Sequence, residues 1–161
     1  MTRKTLLLLI LATFAVVLLS NQAPAFTVET IQGDRIRSED LLAKGPIFLE
    51  FWATSCEPCL KALPFISEFA TKYPEMSFVA VSTDSPRNKD NVMRRVRSSR
   101  FAFTTGFDGN RTLQSLFNVS VIPRTLIITQ SGQIVYDSTG YNPGDEVELE
   151  ENILKVLQGE L

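Results

Sequence analysis

Residues 47–59, IFLEFWATSCEPC, combine the two patterns that decide the fold of this 161-residue chain. The run Ile47–Ala53 is apolar except for one glutamate, which is typical of a central strand buried on both faces. A Cys-x-x-Cys pair, Cys56 and Cys59, follows, and apolar residues at helical spacing continue to Lys72. The stretch therefore predicts a buried strand that leads into a helix with two cysteines at its start.

Strands and helices alternate along the rest of the chain. This alternation predicts a single α/β domain, and a hairpin signal near the carboxyl terminus makes its central sheet mixed. The predicted strands are Phe26–Ile31, Ser77–Ser82, Phe101–Gly106, Arg124–Thr129 and Gln133–Asp137, and the predicted helices are Ser38–Leu42, Glu57–Lys72, Asp84–Ser99, Arg111–Phe117 and Asp145–Leu157.

Residues 1–25 have the pattern of an export signal. Two basic residues precede an uncharged apolar run over residues 5–19, and a small-residue cleavage pattern ends at Ala25. As a helix the run spans about 22 Å, less than a bilayer core of about 30 Å. We expect cleavage after Ala25, with 26–161 as the folded domain; an uncleaved membrane anchor is the alternative. Both predict an extracytoplasmic protein, in the bacterial periplasm or on the outer face of the cytoplasmic membrane.

The composition excludes several classes of function. The chain has 16 Lys and Arg, 18 Asp and Glu, no histidine and two cysteines, for a net charge of −2. Without histidine there is no Ser-His-Asp or Cys-His triad and no imidazole zinc ligand. Because the chain has no overall basic field, no nucleic-acid partner is predicted. No metal site is expected, since two cysteines without histidine supply too few of the usual ligands.

The cysteine pair predicts redox chemistry. Cys56 lies at the predicted helix N-terminus, where free amides and the helix dipole stabilise a thiolate. Cys59 lies one turn further, so the two sulfurs can form a disulfide, and Pro58 stiffens the loop. The expected reaction is attack by Cys56 on a substrate disulfide and resolution by Cys59. A static structural disulfide is the alternative, although such bridges usually close longer loops.

Glu50 is the only charged residue in the predicted central strand. Burial of a carboxylate raises its pKa, which would allow Glu50 to exchange a proton with Cys59 during resolution. The alternative is an outward-facing glutamate at a strand edge. Trp52, two residues further, is expected to pack beside the disulfide, and a role as an ordinary core aromatic is compatible with that position.

The stretch FWATSCEPC resembles the active-site segment of the thioredoxin superfamily. Its glutamate, the export signal and the opening FTVETIQGDRIRSEDL are similar to exported TlpA/ResA-type thiol–disulfide oxidoreductases. This resemblance implies a thioredoxin-like domain, with a central mixed sheet and helices on both faces. It also implies that Pro123, in the segment VIPRT, is a cis-proline facing the disulfide, and that the Ile122 backbone pairs with substrate.

The same resemblance implies a physiological setting. The expected partners are protein substrates with disulfides or thiols and a membrane electron donor, and no cofactor is expected. Cytochrome c maturation is the leading task. Two departures weaken the detail: Ala62 stands where TlpA/ResA proteins often carry a second acid, and Ser55 stands where thioredoxins usually have tryptophan.

The direction of electron flow is predicted from Glu57, a negative charge between the sulfurs. It disfavours the Cys56 thiolate, which makes the dithiol a better reductant. We therefore expect a protein-disulfide reductase. An oxidase or isomerase with the same chemistry, and a non-catalytic binding or assembly module with an inert disulfide, are the alternatives.

The predicted helix after the second central strand is strongly basic. Residues 87–100, which cover most of this helix and the residue after it, carry a single acid, Asp90, and six cations: Arg87, Lys89, Arg94, Arg95, Arg97 and Arg100. Such a run predicts either a docking patch for an acidic partner or anionic lipid, or simply a solvated helix face.

Overall fold

The computed structural model describes residues 21–161, and the export-signal prediction for residues 1–25 falls almost wholly outside them. Seven strands and five α-helices make up this part of the chain. The strands are β1 Thr27–Glu29, β2 Arg35–Arg37, β3 Ile47–Trp52, β4 Ser77–Ser82, β5 Thr104–Phe107, β6 Arg124–Ile128 and β7 Ile134–Thr139. The helices are α1 Ser38–Leu42, α2 Glu57–Lys72, α3 Lys89–Ser99, α4 Thr112–Leu116 and α5 Asp145–Gln158.

Five strands form the central mixed sheet in the order β5-β4-β3-β6-β7. β3 pairs in parallel with β4 and antiparallel with β6, so it has a hydrogen-bonded neighbour on each side. All six residues of β3 are buried, as the apolar run predicted. β1 and β2 form a separate antiparallel pair.

Helices cover both faces of the sheet, which confirms the predicted fold class. Alternate residues of β3 point to opposite faces. Phe48 and Trp52 belong to an apolar cluster with buried residues of α2, α3 and α5, whereas Leu49 and Phe51 belong to a second cluster with residues of α1 and α4. Glu50 lies between Phe48 and Trp52 in this alternation, so it points to the face that α2 covers.

Several elements differ from the sequence prediction, and the strand expected at Phe101–Gly106 begins only at Thr104. The short strand β2 was not predicted, because three residues with polar ends carry almost no periodic signal. The helix expected from Asp84 begins as a 3-10 turn at Pro86–Asn88 and becomes α-helical only at Lys89. Pro86 lacks an amide hydrogen and fits the first turn of such an element.

Three loops meet at one edge of the sheet, the edge formed by the carboxyl-terminal ends of β3 and β4. The parallel strands β3 and β4 both end there, and β6 begins there because it runs antiparallel to β3. Phe51 pairs with Arg124, so Pro123 lies level with the end of β3. The Cys56–Cys59 segment, the loop after β4 and the Ile122–Pro123 loop are therefore neighbours. Within residues 21–161, no helix is long and apolar enough to span a bilayer.

Candidate active site

The two cysteines begin helix α2. Cys56 is the N-cap residue with extended backbone angles, and its Sγ accepts a hydrogen bond from the Cys59 amide at 3.2 Å. The two sulfurs are joined in a disulfide. Cys56 is partly exposed, whereas Cys59 has no exposed surface. An incoming sulfur can therefore reach Cys56 but not Cys59, and a helix amide already points at the accessible sulfur.

Glu57 and Pro58 separate the sulfurs and both are exposed. Pro58 occupies the first turn of α2, where no intrahelical amide bond is lost. Glu57 forms an ion pair with Lys61, one turn further, at 2.9 Å between Oε1 and Nζ. The hydrogen bond from Lys61 lowers the pKa of Glu57. The negative charge expected beside Cys56 is present, and Lys61 offsets part of it.

Glu50 lies in the middle of β3 and is fully buried, so it does not face outward at a strand edge. Its Oε2 accepts a 2.6 Å hydrogen bond from the Thr125 hydroxyl, the residue opposite it on β6. Its Oε1 has no partner among the described residues. Desolvation raises the pKa of Glu50 to about 8, against its ordinary value of 4.5. A carboxyl with that pKa can hold or release a proton near neutral pH.

Trp52 and Pro123 lie at the end of the sheet from which the redox segment continues. Trp52 has no exposed surface and belongs to the same apolar cluster as Cys59. The Ile122–Pro123 peptide is cis, as the resemblance implies. Pro123 is buried, and Ile122 is partly exposed. The structure therefore brings all six predicted site residues to one end of the sheet or into the core directly beneath it.

Asp84 is a buried residue of this edge that the sequence prediction missed. Its carboxylate accepts hydrogen bonds from the Thr54 amide at 2.8 Å, the Thr54 hydroxyl at 2.6 Å, the Ser82 hydroxyl at 2.9 Å and the Asn88 amide group at 2.7 Å. Thr54 lies two residues before Cys56. Asp84 therefore ties the loop in front of the disulfide to the end of β4.

Replacing Asp84 with alanine is expected to destabilise the oxidised protein by about 3 kcal/mol. The loss arises because the donors on Thr54, Ser82 and Asn88 would remain partly buried without their acceptor. Urea unfolding measures the change. Asp90→Ala, an exposed change on α3, is the control and is expected to stay within about 0.5 kcal/mol of the parent. Equal effects of the two substitutions would contradict this role for Asp84.

The chemistry that this arrangement supports is thiol–disulfide exchange. Residues 21–161 contain no group of three or more His, Cys, Asp or Glu side chains that could hold a metal ion. Two sulfurs that open and close a disulfide exchange two electrons with another thiol pair by themselves. The arrangement provides an accessible sulfur, a sheltered second sulfur and a buried carboxyl on the same face.

Known proteins match most of the chain. The family model described as Redoxin matches residues 19–155. The thiol-disulfide oxidoreductase ResA of a Bacillus cereus strain is 28% identical over 130 residues, which cover 81% of this chain and 75% of the relative. ResA of Bacillus subtilis (strain 168) is 32% identical over 120 residues, which cover 74% of this chain and 66% of the relative.

Solved structures agree with the fold. The crystal structure of a putative thiol:disulfide interchange protein DsbE from Chlorobium tepidum has a TM-score of 0.77 at 27% identity, and covers 85% of this chain and 96% of that one. A solution structure of a thioredoxin-like protein from Porphyromonas gingivalis has a TM-score of 0.70 at 29% identity, and covers 86% of this chain and 95% of that one.

Proposed function

Because the chain belongs to the Redoxin family and is a thiol–disulfide oxidoreductase of the ResA and DsbE type, we propose that it reduces disulfides in exported proteins through Cys56 and Cys59. The observation that carries this proposal is the unequal exposure of the two sulfurs at the start of α2. Cys56 is reachable and faces a helix amide, whereas Cys59 is enclosed. Cys56 is therefore the nucleophile and Cys59 the resolving cysteine.

The first step is attack by the Cys56 thiolate on a substrate disulfide. A bond forms between Cys56 and one substrate sulfur, the substrate S–S bond breaks, and the other substrate sulfur leaves as a thiolate. The Cys59 amide, which points at the Cys56 sulfur, and the dipole of the 16-residue helix α2 stabilise the attacking anion. No other side chain has to supply charge for this step.

The second step releases the substrate. Cys59 loses its proton and attacks the Cys56 sulfur, which restores the Cys56–Cys59 disulfide and frees the second substrate thiolate. The substrate gains two electrons and the protein loses two. The ionised form of Glu50 accepts the Cys59 proton. Glu50 points to the same face of the sheet as Cys59, and because its pKa of about 8 lies close to that of an ordinary thiol, a fraction of the carboxyl is ionised near neutral pH.

Substrate is held by the loop before β6. The backbone of Ile122 pairs with an extended substrate segment next to Pro123, and Trp52 supports the disulfide from below. Val121, the preceding residue, is 56% exposed and adds an apolar contact to this loop. A polypeptide disulfide can lie across the loop with one sulfur at Cys56.

The domain works outside the cytoplasm, with residues 26–161 as the folded unit and residues 1–25 as a cleaved signal or a membrane anchor. Its dithiol is consumed in each cycle, so a membrane electron donor must return two electrons and two protons. Reduction of the haem-binding cysteines of an apocytochrome, in cytochrome c maturation, is the physiological task that the resemblance of the FWATSCEPC segment to exported TlpA/ResA-type proteins implies.

A midpoint potential below about −200 mV is expected for the Cys56–Cys59 couple. The exposed charge of Glu57 disfavours the Cys56 thiolate, and a less stabilised thiolate makes a stronger reductant. Redox titration against glutathione or dithiothreitol gives the potential, and an insulin-reduction assay checks the direction of electron flow. A potential near about −120 mV, where strong oxidants lie, would instead identify a disulfide oxidase.

A further inference from the structure

We propose that a basic groove between α3 and the redox loop recognises an acidic segment of the substrate protein. The inference rests on the proposed function, because it assigns a substrate class to the same site. The groove has a volume of about 470 Å³ and is lined by Thr54, Asn91, Arg94, Arg95 and Ser98. Three lines of evidence from the structure carry it: unpaired charge, position beside Cys56, and a connected set of hydrogen bonds.

The charge on α3 and its preceding turn is uncompensated. Residues 87–100 carry six cations and one acid, a net of +5, while residues 21–161 as a whole carry 14 cations and 18 acids, a net of −4. The remaining described residues therefore sum to −9. None of the four ion pairs found among residues 21–161 includes a cation of this segment. The positive charge of this segment is therefore not neutralised by a carboxylate in any of these ion pairs, and it can attract an external anion.

The groove is on one face of α3. Asn91, Arg94, Arg95 and Ser98 recur at the spacing that aligns side chains along a helix, and Val92 packs into the core on another side. Arg94 and Arg95 are exposed. Two guanidinium groups on one open face present paired donors that suit carboxylates.

The groove lies next to the loop that precedes the disulfide. Thr54 forms part of the groove wall, and its Cα can lie at most about 7 Å from that of Cys56, two residues further. Arg94 donates to the Asn91 side chain, Asn91 donates to Asn88, and Asn88 donates to the Thr54 hydroxyl at 3.2 Å. Hydrogen bonds therefore run continuously from the groove to the loop in front of the disulfide.

A polypeptide carboxylate is the occupant that this geometry favours. A substrate sulfur bonded to Cys56 brings its neighbouring residues within reach of the groove, so an Asp or Glu a few residues from the substrate cysteine can meet Arg94 and Arg95. An anionic membrane would instead favour a broad basic surface, and α3 adjoins a domain that is otherwise acidic. The groove thus selects substrates by the residues around their disulfide.

The test uses two disulfide peptides that differ only in two Glu or two Gln residues close to the cysteine. The reduced full-length protein is mixed with each peptide, and the fluorescence of Trp52, the single tryptophan, reports oxidation. At low salt the Glu peptide is expected to react about fivefold faster than the Gln peptide. The preference should vanish near 1 M salt, where the Debye length is about 3 Å.

Two double variants test whether the preference for the Glu peptide arises from the arginines of the groove. Arg94→Gln combined with Arg95→Gln should abolish the preference, so that the ratio of the Glu-peptide rate to the Gln-peptide rate falls from about five to about one. Arg97→Gln combined with Arg100→Gln removes the same charge outside the groove, and this control should keep most of the preference. Equal rates for both peptides, or equal losses in both double variants, would overturn the groove assignment.

Failure of the proposed reductase function and failure of the groove assignment give different results in this test. Inertness toward both peptides would mean that the proposed reductase function fails, whereas equal reactivity with both overturns the groove alone. A lipid occupant is tested by flotation with phosphatidylcholine vesicles containing about one third phosphatidylglycerol. If the Arg94/Arg95 double variant loses vesicle binding but keeps the peptide preference, the groove serves the membrane and the proposal is wrong.

Discussion

Replacing Cys59 with serine is expected to arrest the protein in a covalent complex with its substrate. Cys56 still attacks, because its exposure and the amide at its sulfur do not depend on the second thiol. The mixed disulfide then persists, since serine cannot act as the resolving thiol. Multiple turnover should fall by several orders of magnitude, while one equivalent of substrate becomes attached.

Non-reducing electrophoresis and mass spectrometry of the trapped complexes measure this outcome. Cys56→Ser is the matched control: it removes the accessible sulfur and leaves only the enclosed one, so it should trap nothing. The same experiment in the native host identifies the trapped partners. Failure of Cys59→Ser to accumulate any mixed disulfide would point to an inert structural bridge.

Glu50→Gln is expected to slow the resolving step about 100-fold, the lower end of what a positioned general base contributes. Glutamine keeps a similar shape and can still accept from Thr125, but it cannot take the Cys59 proton. Attack by Cys56 should change little. Stopped-flow measurement of mixed-disulfide formation and decay separates the two steps, and equal slowing of both would indicate a distorted site.

The same substitution has a second readout in the pH dependence of stability. The folded protein keeps the Glu50 proton up to about pH 8, whereas the unfolded chain releases it near 4.5. The folded state therefore binds more protons between these values, and its stability falls as pH rises through them. At about 1.36 kcal/mol per pH unit, the decrease in the free energy of unfolding across this pH range is at most about 5 kcal/mol.

Glu50→Gln should remove this decline, so the variant should be less pH-sensitive and more stable than the parent above about pH 8. Urea unfolding of the oxidised proteins at several pH values measures it. Thr125→Val is a useful partner, because loss of the Thr125 hydrogen bond is expected to raise the pKa of Glu50 further. Identical pH profiles for parent and Glu50→Gln would show that Glu50 is not titrating in this range.

Much of the site was predictable because its signals are local. The apolar run of β3, the cysteine spacing and Pro58 indicated a strand followed by a helix, and the single carboxylate in the run predicted a buried acid. Each of these inferences needs only neighbours in the chain. The likeness to a known family added Pro123, which lies level with the end of β3 because β6 runs antiparallel to that strand.

What escaped prediction depends on long-range contacts. Asp84 is 30 residues from Thr54 in the chain, and Thr125 is 75 residues from Glu50, so neither pairing leaves a periodic signal. Asp84 had one general clue: polar residues that follow parallel strands meet at one edge of a sheet. The basic helix was visible, but only the tertiary structure brings Arg94 and Arg95 to the same groove as Thr54.

The enclosure of Cys59 beneath Cys56 also bears on survival under oxidative stress. Peroxide converts an exposed thiolate to a sulfenic acid, and further oxidation to the sulfinic acid is irreversible for most proteins. Here a sulfenic acid on Cys56 would lie within bonding reach of the Cys59 thiol, and condensation of the two expels water and yields the ordinary disulfide. Damage by peroxide thus ends in a form that the next reduction repairs.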